Sequence, residues 1–281
     1  MFAAVETGMK DTALLHAAQF LVDLGARLVD IVHGEKDGVS FVQWRKIKIN
    51  VKKREGAERE TWDLKPEDIK MEVDFLLDGF LPQAAYDRLH KLAESVARPG
   101  MLAVEVGCFA GCTAFSVLPV VKTAGGFMYL LDWFRGCVDA RHVWKMEAFP
   151  RNRVIGTLLD NMDIAEYADC AAVVVSDSAR GAAAFGNASL DYLYIGADHR
   201  YAQFKADVDA WWPKLKPGGV VCGHGADRKI EKDGQDWERC LEFCEQDFHD
   251  GVHWGIARLL AERFPDAGYD AGIWWVYKGV L

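Results

Sequence analysis

The apolar positions along the chain change period several times, and each change marks an element. Between Asp11 and Val32, the residues Leu14, Leu15, Ala18, Leu21, Val22, Leu28, Val29 and Val32 recur at helical spacing, with Asp11 or Thr12 as the cap. From Gly38 to Lys53 the period drops to two. Val39, Phe41, Ile47, Ile49 and Val51 alternate with Arg45, Lys46, Lys48 and Lys52, which predicts one or two strands. Leu64-Lys65-Pro66-Glu67 breaks the pattern, and a domain boundary is expected there. Pro82–Val96 returns to helical spacing through Leu89, Leu92 and Val96. Short apolar runs follow: Met101–Val106, Phe127–Leu131, Ala171–Val175, Leu190–Ile195 and Gly219–Cys222. Helical stretches separate them at Ala114–Val121, around Val154–Met162 and at Tyr201–Leu215. Apolar strands alternating with helices predict a doubly wound, mostly parallel α/β sheet over residues 66–281. Residues 1–65 form a helical and β extension, a candidate contact between subunits. Trp237–Phe248 and His253–Phe264 read as further helices, and Ile273–Tyr277 as a last strand, antiparallel at the sheet edge.

Composition narrows the function classes. At 281 residues and 51% hydrophobic content the chain can bury a full core. Its formal charge of −9 argues against a general nucleic-acid binder, which needs a basic surface. The basic cluster Lys46, Lys48, Lys52, Lys53 and Arg54 reads as a solvated strand face or a local anion site. No run of ~18 apolar residues predicts a membrane span. Met1–Lys10 lacks the pattern of a secretory signal, and seven cysteines is an odd number. Reduced thiols and a cytoplasmic protein are expected.

The chemistry concentrates around Met101–Thr113. An apolar strand carrying Glu105 runs into Gly107-Cys108-Phe109-Ala110-Gly111 and then into small residues that open a helix. Such a strand–loop–helix unit lets a ligand approach the backbone closely. The spacing is Gly-x-x-x-Gly, not the Gly-x-Gly-x-x-Gly of a dinucleotide site. A carboxylate at Glu105 repels a pyrophosphate but suits a ligand with ammonium and sulfonium charge. The next strand ends at Asp132, where nucleotide folds place an acid for ribose hydroxyls. Asp177, after the third strand, serves an adenine edge or caps the following helix. Cys240 and Cys244, with His249 and His253, have soft ligands at helical repeats near Cys222 and His224. The spacing is not that of a zinc ribbon, and cysteines four apart on such a helix read as core.

Taken together, Glu105-Val106-Gly107-Cys108-Phe109-Ala110-Gly111, Asp132, Ser176-Asp177-Ser178, Leu190–Ile195, His199, Tyr201, Asp207, Trp211 and Leu215-Lys216-Pro217-Gly218-Gly219 resemble class I S-adenosylmethionine-dependent methyltransferases. The nearest branch is the O-methyltransferases of antibiotic sugars with their cephalosporin-hydroxylase-like relatives, over roughly Phe75–Lys278. The resemblance implies a Rossmann-like, seven-stranded sheet with S-adenosylmethionine across the strand carboxyl ends. It implies that Glu105, Gly107 and Gly111, with Cys108, hold the methionine part. Asp132, with Trp133 beside it, would bind the ribose, and Asp177 and Ser178 would lie near the adenine. His199 falls where relatives keep a proposed general base, with Asp198 and His224 as auxiliary catalytic candidates.

Two departures stand out. Relatives have an Asp where this chain has Gly196, and another where it has Gly225. Both are the family's divalent-metal ligands, and glycine offers no carboxylate. Losing both argues against the family's metal; Asp198 and Asp227 are the nearest substitutes. His199 must then take the proton alone, or is a loop histidine with no such role. An imidazole matches a phenolic hydroxyl better than a sugar hydroxyl. The expected activity is O-methylation of a small-molecule acceptor. The alternative is a non-catalytic S-adenosylmethionine binder or scaffold that has lost its metal site.

Overall fold

The computed structural model describes residues 46–51, 69–74, 81–136, 151–226, 229–232 and 234–279. The predicted helix at Asp11–Val32, the boundary at Leu64–Glu67 and Asp227 lie outside the described residues. Backbone contacts divide the chain into Met1–Asp78 and Gly79–Leu281.

In the first unit, β1 (Lys46–Val51) pairs antiparallel with β2 (Ile69–Asp74). The alternation Ile69, Met71, Val73 against Lys70, Glu72, Asp74 marks β2 in the sequence, beyond the elements expected above. The register sets Lys46 opposite Asp74 and Lys48 opposite Glu72.

The second unit contains α1 (Gln83–Ser95), β3 (Leu102–Val106), α2 (Cys112–Thr123), β4 (Phe127–Asp132), α3 (Arg151–Ile164) and β5 (Ala171–Val175). It continues through α4 (Ser178–Ala183), β6 (Leu190–Ile195), α5 (Tyr201–Trp211) and β7 (Leu215–His224). It closes with α6 (Trp237–Phe243), α7 (Trp254–Arg263), β8 (Gly268–Asp270) and β9 (Ile273–Tyr277). The sheet order is β5-β4-β3-β6-β7-β9-β8, with β3 to β7 parallel and β9 antiparallel to both neighbours. This corrects one expectation. Ile273–Tyr277 is not the edge strand, because the three-residue β8 covers it. Gly268-Tyr269-Asp270 is too short to carry a hydrophobic period, so the sequence gives no sign of it.

Strand alternation separates two cores. On one face, Ala103, Tyr192 and Tyr194 pack with Leu89 of α1, Leu118 of α2 and Leu158 of α3. On the other, Val104, Val106, Leu193 and Ile195 pack with Phe204 and Trp211 of α5 and Ile256 and Leu260 of α7. Both faces are covered, which is why β6 is buried along its whole length. Its one charge, Asp191, is held at the amino end by Arg98, by Lys216 Nζ at 2.8 Å and by the Leu102 backbone N–H at 2.9 Å. The winding direction reverses between β3 and β6. In such sheets the crevice above the strand carboxyl ends opens at that switch point.

Candidate functional site

At the switch point two loops touch. Gly107 has φ +85°, and a Cβ there would lie 2.7 Å from the Gly196 carbonyl oxygen and 2.8 Å from Ala197 Cα. Glycine is required by this backbone contact as well as by the left-handed conformation. Gly111 (φ +89°) opens α2 against Leu158 of α3, whose Cδ1 a Cβ would meet at 2.6 Å. Between them Phe109 holds φ 44°, unusual for a side chain of that size. Backbone bonds from Gly107 and Cys108 to the Leu131 carbonyl, 2.8 and 3.3 Å, pin the loop to β4.

Glu105 sits on β3 opposite Tyr194, on the face that looks toward α2, and is 1% exposed. Thr113 at the start of α2 donates its hydroxyl to Oε1. Oε2 is buried and meets no donor. Burial pushes this carboxyl up to about 8; the Thr113 bond opposes the shift and the Asp132 charge adds to it. A buried carboxylate oxygen without a partner is costly, and a cationic donor would relieve it. Asp132, at the tip of β4, accepts from Phe109 N–H at 2.9 Å and Phe134 N–H at 2.7 Å. Burial raises its carboxyl, and these backbone bonds hold it back. Cys108 is 3% exposed, its thiol pushed up by burial and by the charges of Asp132 and Glu105. It packs and does not react.

Trp133 follows Asp132 and is 44% exposed; Val175, paired with Asp132 at the tip of β5, is 49% exposed. Two adjacent strand tips therefore present bare apolar surface beside an acid. Asp177 caps α4 through Oδ1 and the Arg180 N–H at 3.0 Å. Ser178 accepts from Trp211 Nε1 at 2.9 Å and so joins α4 to α5.

Farther along the edge, three histidines converge. The His199 ring centroid lies 4.1 Å from that of His253 and 4.7 Å from that of His224. His199 Nδ1 is 2.9 Å from Asp247 Oδ1. A carboxylate only accepts, so Nδ1 carries a hydrogen, and in the neutral ring Nε2 then has the lone pair. That Nε2 is buried and without a partner. His253 Nδ1 donates to the Asp247 carbonyl, and His224 Nδ1 lies 2.7 Å from the Tyr194 hydroxyl. Asp198 is paired with Arg200, its Oδ2 2.6 Å from the guanidinium, rather than with His199.

The positions of the missing aspartates are filled by the protein itself. A Cβ on Gly196 would lie 2.6 Å from the Tyr194 ring, and one on Gly225 (φ +88°) would lie 2.8 Å from the His253 ring. The carboxylate-built metal site implied by the resemblance does not fit these residues. Among the described residues the cysteines are free, and Cys240 and Cys244 are buried beside α7, with Cys244 accepting from Arg258. Asp247 and His253 were not legible as partners of His199: both come from the tail, Asp247 48 positions on in sequence, and no local pattern links them. Asn161 was missed as well. It is one turn from Leu158 on α3, fully buried, with its amide atoms unpartnered.

Residues 104–226, from β3 to the loop after β7, match a family described as "Methyltransferase domain". Similar solved structures include a protein from Corynebacterium glutamicum, 16% identical, covering 72% of this chain and 84% of that one at a TM-score of 0.45. A cofactor-bound protein from MTB is 17% identical, with 72% and 83% covered and a TM-score of 0.47. The O-methyltransferase TomG from Streptomyces achromogenes, in complex with SAM, is 16% identical, with 69% and 80% covered and a TM-score of 0.44. No curated protein matches the chain.

Proposed function

We propose that this chain, whose residues 104–226 match a methyltransferase domain, uses S-adenosylmethionine to methylate a hydroxyl of a small molecule, with His199 taking the hydroxyl proton. One observation carries the reading. Along a single sheet edge, Glu105 Oε2 and His199 Nε2 are buried polar atoms left without partners. The first suits an ammonium group and the second a hydroxyl proton.

Bound S-adenosylmethionine supplies a methyl group on a positively charged sulfur. Glu105 would hold its amino group, the Gly107–Gly111 backbone would allow close approach, and Asp132 with Trp133 and Val175 would receive the nucleoside. Methyl transfer is an in-line displacement, in which positioning of the two partners lowers much of the barrier. His199 Nε2 would accept the acceptor's proton as the new carbon–oxygen bond forms and the methyl carbon–sulfur bond breaks, the electron pair leaving with sulfur as neutral S-adenosylhomocysteine. Asp247 holds the tautomer and stabilises the imidazolium that results. An imidazole is matched to an acidic hydroxyl, so the acceptor is a phenol or a similarly polarised alcohol rather than a plain sugar.

The test is transfer of labelled methyl from S-adenosylmethionine to a panel of phenols and sugars. Phenols should be methylated, and a strong chelator should leave turnover undiminished. His199→Ala should lose roughly 10²–10⁴-fold in rate while still binding S-adenosylhomocysteine. Chelator-sensitive turnover restored by Mg²⁺ would overturn the mechanism. Donor binding without transfer to any acceptor would favour the non-catalytic alternative.

A further inference from the structure

Chemistry that methyl transfer leaves unused lies at the far end of the histidine cluster. One ligand atom each from His199, Asp247 and His253 lie within 4.8 Å of one another. Two donor atoms each about 2.1 Å from one ion sit about 3–3.5 Å apart, and His199 Nδ1 is already 2.9 Å from Asp247 Oδ1. The set is held in place. His253 is tied to the Asp247 backbone, its ring fills the space beside Gly225, and the side chains of His199 and Asp247 are only 12% and 8% exposed. Two imidazole nitrogens are borderline donors, and with one carboxylate they select zinc, iron or cobalt over magnesium.

We propose that His199, Asp247 and His253 form a binding site for a borderline divalent metal ion, and that its occupation switches off proton acceptance by His199. The two states exclude each other for a chemical reason. If His199 ligates through Nε2, the ion takes that lone pair. If it ligates through Nδ1, the ring hydrogen leaves Nδ1 and moves to Nε2, which can then accept nothing. The ion-binding half stands on the geometry alone. The inhibitory half rests on His199 being the proton acceptor.

The probe is Co²⁺, whose visible bands strengthen and shift when protein ligands replace water, followed by competition with Zn²⁺. One Co²⁺ per chain should bind with visible bands, Zn²⁺ should displace it, and saturating Zn²⁺ should lower methyl transfer by about tenfold or more, reversibly with a chelator. H253Q should weaken Co²⁺ binding by about tenfold or more and relieve the Zn²⁺ inhibition while leaving metal-free turnover in place. If H253Q does not fold by circular dichroism, D247N reads the binding half in its stead. Bands unchanged from those of aqueous Co²⁺, binding unchanged in both variants, or stimulation by Zn²⁺ would overturn the proposal. The Co²⁺ titration needs no methyl donor, so its failure and the failure of the methyl-transfer reading are distinguishable.

Discussion

Asp247 shows what a single residue contributes beyond what sequence reveals. Its side chain orients His199 and its carbonyl orients His253, so one residue fixes two imidazole tautomers. Replacing it with Asn keeps an acceptor of similar shape but removes the charge that stabilises the imidazolium. Asp247→Asn should therefore lower kcat by roughly 10–10³-fold with donor affinity unchanged, and should shift the pH–rate profile. A loss of donor affinity equal to the loss of rate would mean that Asp247 serves structure alone. At this scale, legibility follows distance along the chain. Glu105, Asp132 and His199 each end a strand or follow one closely, and the local pattern marks them. Asp247 and His253 lie in a tail whose approach to His199 is decided by the packing of α6 and α7, which no period encodes.

Among elements, the β3–α2 and β6–α5 loops are the mutually dependent pair. Gly107 cannot take a side chain without displacing Gly196 and Ala197, and its left-handed φ adds strain of order 1–3 kcal/mol for any other residue. Gly107→Ala should destabilise the protein by roughly that amount and weaken donor binding together with it, read by thermal melting and titration. Introducing the carboxylates that the resemblance implies is predicted to fail. In Gly196→Asp the new side chain meets the Tyr194 ring, and in Gly225→Asp it meets His253, so the double variant should lose stability without acquiring Mg²⁺-dependent turnover. Mg²⁺-activated transfer by that variant would show that the site was merely emptied rather than refilled. The parallel strands were legible because their apolar runs are bounded by Gly, Pro and Asp. The short β8 was not, and β9 was therefore placed one position too far out.

At the scale of the whole molecule, the buried acids bind stability to pH. Glu105 is raised from 4.5 to about 8 and Asp207 from 3.8 to about 6, in both cases chiefly by burial. The folded chain then holds protons that the unfolded chain releases above pH ~4.5. Their contribution is fully present below the unfolded values and is lost as pH rises through about 6 for Asp207 and about 8 for Glu105. The ligand-free protein should melt at progressively lower temperature from pH 5 to pH 8, by about 1.4 kcal/mol per unit for each titrating group. Glu105→Gln should flatten the slope between pH 6 and 8. A melting temperature that rises over that range would contradict the assignment of Glu105 as a buried, unpaired acid.

The same acid gives the most direct test of the account. Calorimetric titration with S-adenosylhomocysteine at pH 6 and pH 7, in buffers of different ionisation enthalpy, reads affinity and proton release together. An ammonium group that captures the ionised Glu105 predicts saturable binding that tightens by about tenfold per pH unit and releases about one proton, with both effects gone in Glu105→Gln. No saturable binding, or binding that neither releases a proton nor changes in Glu105→Gln, would contradict the placement of the methyl donor over β3 and the function built on it.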